Sequence, residues 1–110
     1  MLKMDLEYSK GILFVRLDGN LTKLTSYKIN NYLVPVLLKH HIKYVVYNLY
    51  KLTSIDNDGV NALLNTKLAV KKYNGLIYIC EANKEICKKI KKIHIKNCDN
   101  EISAYKMVEV

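Results

Sequence analysis

Two carboxylates, Asp56 and Asp58, stand one residue apart in the run 54–59. Paired carboxylates are used for general acid–base catalysis and for binding hard metal ions. The run follows an apolar strand pattern and precedes an amphipathic pattern over 60–72, so it marks a junction between a strand and a helix. An acidic side chain just before a helix is also an ordinary N-cap. The pair therefore has a structural interpretation beside the chemical one.

An EF-hand calcium loop is excluded by the residues that would stand at its ends. Asp56, Asp58 and Gly59 would fall at the third, fifth and sixth positions of such a loop. Ser54 would then take the first position and Asn65 the twelfth, where Asp and a bidentate Glu belong. The loop also needs a helix before it, whereas this run follows a strand pattern.

The other residues able to do chemistry form no catalytic or ligand-binding pattern. The histidines are an adjacent pair, His40 and His41, and a distant His94. Adjacent histidines at a helix end more often interact with backbone carbonyls than with a metal. The sequence has no Gly-rich phosphate loop and no clear pairing of a nucleophile with a histidine. We therefore expect a binding module rather than an enzyme, with no metal and no cofactor.

Composition favours one globular domain in a reducing compartment. Half of the 110 residues are hydrophobic and a quarter are charged, which is typical of a globular chain. Three cysteines at irregular spacing argue against a disulfide framework, and Cys80 is predicted to be a small core residue. The polar start of the chain has no apolar segment of the signal-peptide type. We expect a cytoplasmic protein without a membrane span.

The net charge of +8 raises the question of an acidic partner. Arg16 is the only arginine, although arginine is the preferred reader of bases and phosphates. We therefore predict no direct nucleic-acid partner. Four lysines cluster in the segment 88–92. We interpret this cluster as a solvated helix face, with an acidic partner or a membrane surface as the alternative.

Strand and helix patterns alternate along the chain. The predicted strands are 6–9, 11–17, 44–49, 76–80 and 93–96. The predicted helices start at Thr25 or Ser26 and then cover 60–72, 81–92 and 100–108. We predict a turn at 18–20, a possible kink at Pro35 and an N-cap at Asp99. The alternation indicates an α/β fold with a mixed, partly parallel sheet of about five strands and about four helices.

The motifs, taken in order, resemble STAS domains, the family of the anti-sigma factor antagonists. The resemblance is carried by the segments 15–21, 45–49 and 52–59, and by Asn74-Gly75 with the strand after it. It covers nearly the whole chain and implies a single STAS domain over 1–110. It also implies a partner, an anti-sigma factor that is usually a serine kinase. In the family, antagonist binding releases a sigma factor, and phosphorylation of a Ser or Thr at the start of the second helix breaks the complex.

The chain departs from the family motif, Asp-Ser-Ser-Gly, at the deciding residue. Asp56 and Gly59 match the motif, Asn57 stands where a small residue is common, and Asp58 stands where the phosphorylated residue belongs. Asp58 has no hydroxyl, so its carboxylate imitates a phosphate only in part. Antagonists often carry an acid where this chain has Thr22. We therefore expect Thr22 and Asp58 to lie within hydrogen-bonding reach of each other.

The sequence is compatible with three different effects of Asp58 on partner binding. Asp58 either blocks kinase binding as a phosphomimetic, or matches a partner that expects a carboxylate, or leaves control to Thr53, Ser54 or Thr22. We favour binding that is independent of phosphorylation. Alternative hypotheses are a STAS subunit of a transporter or lipid-transport complex, which would bind an ATPase or membrane partner, and an enzyme with a deep pocket beside the carboxylates.

The expected partner surface is the turn before the second helix and the first turns of that helix. We predict that Asn57, Asp58, Asn61 and Thr22 contact the partner. Gly59 is expected to allow a close approach or an unusual φ. Asp56 is expected to hold the turn by accepting backbone N–H groups. The helix face formed by Val60, Leu63, Leu64 and Leu68 is predicted to pack toward the core.

Overall fold

The computed structural model of the chain describes residues 1–108. One mixed sheet has its strands in chain order: β1 (Leu2–Ser9), β2 (Ile12–Leu21), β3 (Tyr44–Ile55), β4 (Leu76–Cys80) and β5 (Lys96–Cys98). β1 and β2 are antiparallel, and every later neighbour pair is parallel. Parallel neighbours need crossover connections, so β2, β3 and β4 end at one edge of the sheet and the chain returns each time through a helix.

Four α-helices make or follow these crossovers: α1 (Val34–Lys39), α2 (Asn57–Lys71), α3 (Lys84–Ile90) and α4 (Glu101–Met107). A π-helical turn, Lys28–Leu33, precedes α1, and a 3₁₀ turn, Lys91–Ile93, follows α3. The predicted α/β class, with five strands and four helices, is confirmed. No helix formed by residues 1–108 is long and apolar enough to cross a bilayer.

Alternating strand residues build a core on each face of the sheet. On the larger side, Val45, Tyr47 and Ile79 pack against residues of α1, α2 and α3. The hydroxyl of the fully buried Tyr47 lies 2.7 Å from the Thr66 hydroxyl, which joins β3 to α2. On the smaller side, a cluster that includes Cys80 packs against α4, which confirms the predicted core position of Cys80.

The predicted turn at 18–20 is wrong, because β2 continues through it to Leu21. The pairing with β3 shifts register between Gly19 and Asn20, and Gly19 has a φ of +117°. A bulge of this kind absorbs turn-forming residues without ending the strand. The consequence is that Leu21 pairs with Ile55, the last residue of β3.

Two other predicted elements are displaced. The first helix begins as the π-helical turn rather than at Thr25 or Ser26. Pro35 lies in the first turn of α1, directly after that π-helical turn. The predicted strand 93–96 is replaced by β5, because the 3₁₀ turn ends at His94 in the left-handed region with φ of 52°.

The ends of α3 and α4, and one face of α2, also differ from the prediction. α3 starts three residues later than predicted because the Asn83 side chain caps it, and α4 is capped by Asn100 rather than Asp99. Asn100 and Ser103 form a reciprocal capping box, which fixes that start. Val60 and Leu63 are buried as predicted, whereas Leu68 is 57% exposed because α2 turns that position to solvent.

The single arginine ties α4 to the sheet. Arg16 Nε and Nη2 donate to the two carboxylate oxygens of Glu101 at 2.8 and 2.6 Å. Asp5 and Glu7 contact the same guanidinium at 3.0 and 2.9 Å. Glu101 also accepts a hydrogen bond from Asn48 Nδ2 at 2.8 Å. The Arg16 guanidinium and, less strongly, this amide hold the pKa of Glu101 below its usual value.

Replacing Glu101 by Gln is expected to lower the free energy of unfolding at neutral pH by about 1–3 kcal/mol, because a charge-assisted bidentate contact is lost. The folded-state pKa of Glu101 is depressed, so its contribution is present above the unfolded pKa and is lost as pH falls through the folded one. The stability difference between wild type and variant should therefore be present at neutral pH and vanish at an acidic pH below the folded-state pKa of Glu101. Urea unfolding at both pH values measures the difference.

Glu85→Gln is the matched control, since Glu85 also lies in the first turn of a helix but makes no side-chain hydrogen bond among residues 1–108. Its stability is expected to change by less than about 0.5 kcal/mol. An equal loss in both variants, or a Glu101→Gln deficit that persists undiminished in acid, would contradict the assigned contact.

Candidate functional site

The Asp56 carboxylate joins the start of α2 to the loop after β2. Its Oδ1 accepts the N–H of Gly59 at 2.9 Å, and its Oδ2 accepts the N–H of Lys23 at 3.0 Å. The N–H of Asp56 itself donates to the Leu21 carbonyl at 3.2 Å. The Gly59 N–H and, after it, the Lys23 N–H hold the pKa of Asp56 below its usual value. The side chain caps the helix and anchors a second segment.

Gly59 lets the first turn of α2 lie directly against the end of β2. A Cβ at this position would overlap the Leu21 carbonyl and would stand 2.7 Å from Ile55 Cγ1. Gly59 is not among the residues with positive φ. Of the two roles expected from the sequence, the structure therefore shows the close approach and not an unusual backbone conformation.

Four side chains that the sequence singles out surround this junction. Asn57, Asp58 and Asn61 are exposed on the first turns of α2, and Thr22 is half-buried in the loop that Asp56 anchors. We call these four residues the turn surface. Asp58 lies in the first turn of α2, where the helix dipole favours a negative charge. The side chains of Asn57, Asp58 and Asn61 make no hydrogen bond within residues 1–108, so their polar atoms remain available.

The hydrogen bond expected between Thr22 and Asp58 is not formed in residues 1–108. The Thr22 hydroxyl instead accepts the N–H of Leu24 at 3.3 Å. The loop after β2 and the start of α2 are linked instead by the contact between Asp56 and Lys23, which was not predicted from the sequence. The pairing of β2 with β3 could have revealed it, because parallel strands that end together bring their following loops together.

The hydroxyls of Thr53 and Ser54, two alternative modification sites, are both hydrogen-bonded to residues of β2. Thr53 Oγ1 lies 2.9 Å from the Gly19 carbonyl and 2.8 Å from Asn20 Oδ1. Ser54 Oγ lies 2.6 Å from the same Asn20 oxygen. A phosphoryl group on either hydroxyl would break contacts that join β3 to β2.

The surroundings of the turn surface are open. On one side, Leu24 is 83% exposed, and it lines a largely apolar groove of about 420 Å³ with Met1 and Tyr27. On the other side, a cleft of about 460 Å³ is lined partly by Asp56 and Asn57. Within residues 1–108, no group of three or more His, Cys, Asp or Glu side chains is placed to hold a metal ion. The arrangement is suited to contact with another protein surface.

Comparisons with known proteins find a matching family and a full-length relative. The STAS domain family model matches residues 3–104. An anti-sigma F factor antagonist from Paenibacillus polymyxa is 25% identical over an alignment of 117 positions, which covers 99% of this chain and 97% of that protein.

Two solved structures share the fold. One is the anti-sigma factor antagonist SpoIIAA in its unphosphorylated form, with a TM-score of 0.81, 18% identity, and coverage of 96% of this chain and 97% of that one. The other is the Bacillus cell fate determinant SpoIIAA in its phosphorylated form, with a TM-score of 0.79, 17% identity, and coverage of 97% and 100%.

Replacing Asp56 by Ala is expected to lower the free energy of unfolding by about 0.5–2 kcal/mol, because α2 loses its N-cap. The amide hydrogens of both Gly59 and Lys23 should exchange faster with solvent, since both lose their acceptor. Urea unfolding and amide hydrogen exchange by NMR measure the two effects. Asp58→Ala, in the first turn of the same helix, is the control. It is expected to leave the exchange rates of both amide hydrogens unchanged. Faster exchange at Gly59 alone would contradict the link to the loop.

Proposed function

Because the chain belongs to the STAS domain family, we propose that it is an anti-sigma factor antagonist that acts in the cytoplasm by binding an anti-sigma factor. The observation that carries the proposal is the match to an anti-sigma F factor antagonist over almost the full length of both chains. The family model, which matches residues 3–104, also spans the strand-to-helix turn at Asp56 and the loop at Thr22.

The proposed contact is the turn surface. Asn57, Asp58 and Asn61 are exposed, and the Asp56 carboxylate fixes the backbone around them and around Thr22. A surface held in one geometry before binding loses less conformational entropy when a partner docks. Gly59 supports the proposal because it permits the close approach that brings α2 beside the loop.

The finer proposal concerns Asp58, which we take to stand at the position of the family's phosphorylated residue. SpoIIAA has structures in phosphorylated and unphosphorylated forms, so in that protein the fold accommodates a phosphoryl group. Asp58 carries a charge of about −1, against about −1.5 to −2 for a phosphoserine. We propose that the partner is a serine-kinase-type anti-sigma factor and that Asp58 gives binding independent of phosphorylation. The engagement of Thr53 and Ser54 with β2 supports this, because their modification would disturb the sheet.

The test is binding of the purified chain to the serine-kinase-type anti-sigma factors of the same organism, with and without ATP and Mg²⁺. The wild type is expected to bind with an affinity that ATP leaves unchanged and to keep its mass. Asp58→Ser should bind without ATP, acquire one phosphoryl group with it, and then bind about tenfold more weakly or worse. Calorimetry and intact-mass spectrometry give the two readouts.

Asp99→Ser is the matched control, since it makes the same change at an exposed position beside α4. It is expected to behave as the wild type. Binding by Asp58→Ser but not by the wild type would make Asp58 a built-in phosphomimetic and overturn phosphorylation-independent binding. If neither protein binds any anti-sigma factor, the proposed antagonism is wrong, and capture of an ATPase would favour the transport-complex alternative.

A further inference from the structure

The cleft beside Asn57 lies between the first turn of α2 and the helix α3. Ile55 and Val60 contribute apolar surface to it, and Asp56 and Asn57 contribute polar surface. The remaining lining residues are lysines of α3 and of the turn that follows it: Lys88, Lys89 and Lys92. The lysine cleft, as we call it, has a volume of about 460 Å³ and shares Asn57 with the turn surface.

The lysine cluster is not evenly spread around a solvated helix. Lys89 Nζ donates to the Ile55 carbonyl at 3.2 Å, which attaches α3 to the end of β3. Lys88 and Lys92 line the same cleft on either side of it in the sequence. Lys91, from the same run, lines a different cleft with His94. Three of the four lysines therefore converge on one concave surface next to the turn surface.

The positive charge of the lysine cleft is not neutralised by ion pairs within residues 1–108. All ion pairs found among residues 1–108 belong to Arg16, so no lysine in this part of the chain has a carboxylate within 4.0 Å. Asp56 is the one carboxylate that lines the cleft, and both of its oxygens accept backbone N–H groups. Three lysines against one carboxylate leave a net charge of 3 − 1 = +2.

We propose that the lysine cleft receives an acidic segment of the protein that docks on the turn surface. Because Asn57 belongs to both, one partner can contact the two surfaces at once. A concave cleft of about 460 Å³ can hold a short extended segment of a protein, whereas a flat bilayer or a much larger nucleic-acid duplex cannot enter it. The lysine ammonium groups share the cleft with the apolar side chains of Ile55 and Val60. The cleft therefore suits a segment in which Asp or Glu stands next to an aliphatic residue. Opposite charge also accelerates association, and salt screens that acceleration.

The direct test is an NMR titration of the full chain with a short polyglutamate peptide at low ionic strength. Amide shifts are expected around residues 55–60 and 88–92 and should disappear on addition of salt. The double variant Lys88→Glu, Lys92→Glu should bind the peptide about tenfold more weakly. Lys91→Glu, which makes the same charge change outside the cleft, should change the affinity by less than about twofold. The variant Lys88→Gln, Lys92→Gln provides a milder loss of charge if charge reversal impairs folding.

Equal weakening by Lys91→Glu, or shifts spread over all lysines, would overturn the inference. So would displacement of the peptide by phosphatidylglycerol vesicles or by duplex DNA at equal charge concentration, since the cleft would then prefer another anionic surface.

The choice of partner in this inference rests on the proposed function, and a second assay separates the two. With an anti-sigma factor that binds the wild type, the double variant should associate about tenfold more slowly and lose most of the salt dependence. Unchanged association would overturn the cleft inference and leave the proposed function intact. If no anti-sigma factor binds the wild type, the proposed function fails, and the peptide titration still decides the cleft.

Discussion

The arrangement of the site depends on one carboxylate that accepts two backbone N–H groups from different segments. Parallel pairing of β2 with β3 brings the carboxyl ends of these two strands to the same edge of the sheet. Asp56 then fixes them to each other through Gly59 and Lys23. Without that acceptor, the first turn of α2 would have an unsatisfied donor and the loop would keep more backbone freedom. The backbone that carries the exposed side chains of α2 is held in place by this junction.

Some charged side chains of residues 1–108 are fixed by a partner within the chain, and others have no oppositely charged partner there. On one face of the sheet, Glu101 pairs with Arg16 and secures α4. At the sheet edge, Asp56 is committed to backbone donors. No lysine among residues 1–108 has a carboxylate within 4.0 Å, so no ion pair in this part of the chain neutralises the positive charge of the lysines. Asp58 is therefore an exposed acidic residue near a basic cleft. A partner with the complementary pattern of charges would be both attracted and oriented by this arrangement.

The sequence predicted those features that local patterns determine. The strand Leu76–Cys80 is bounded by Gly75 and is apolar throughout, so its limits were correct. It did not predict the bulge at Gly19, because turn-forming residues have the same composition in a bulge. The Asp56–Lys23 contact and the convergence of Lys88 and Lys92 were also missed, since both depend on how distant elements pack. Local periodicity does not contain that information.

The place where an anti-sigma factor contacts the chain decides whether the turn surface is a binding surface. NMR chemical-shift mapping of the isotope-labelled wild type, saturated with an unlabelled anti-sigma factor and without ATP, locates that contact. We expect simultaneous perturbation of residues 22–24 and 57–61, because the Asp56 carboxylate links the two segments. Perturbations confined to α4 and the sheet face around Arg16, with both of these segments silent, would contradict it.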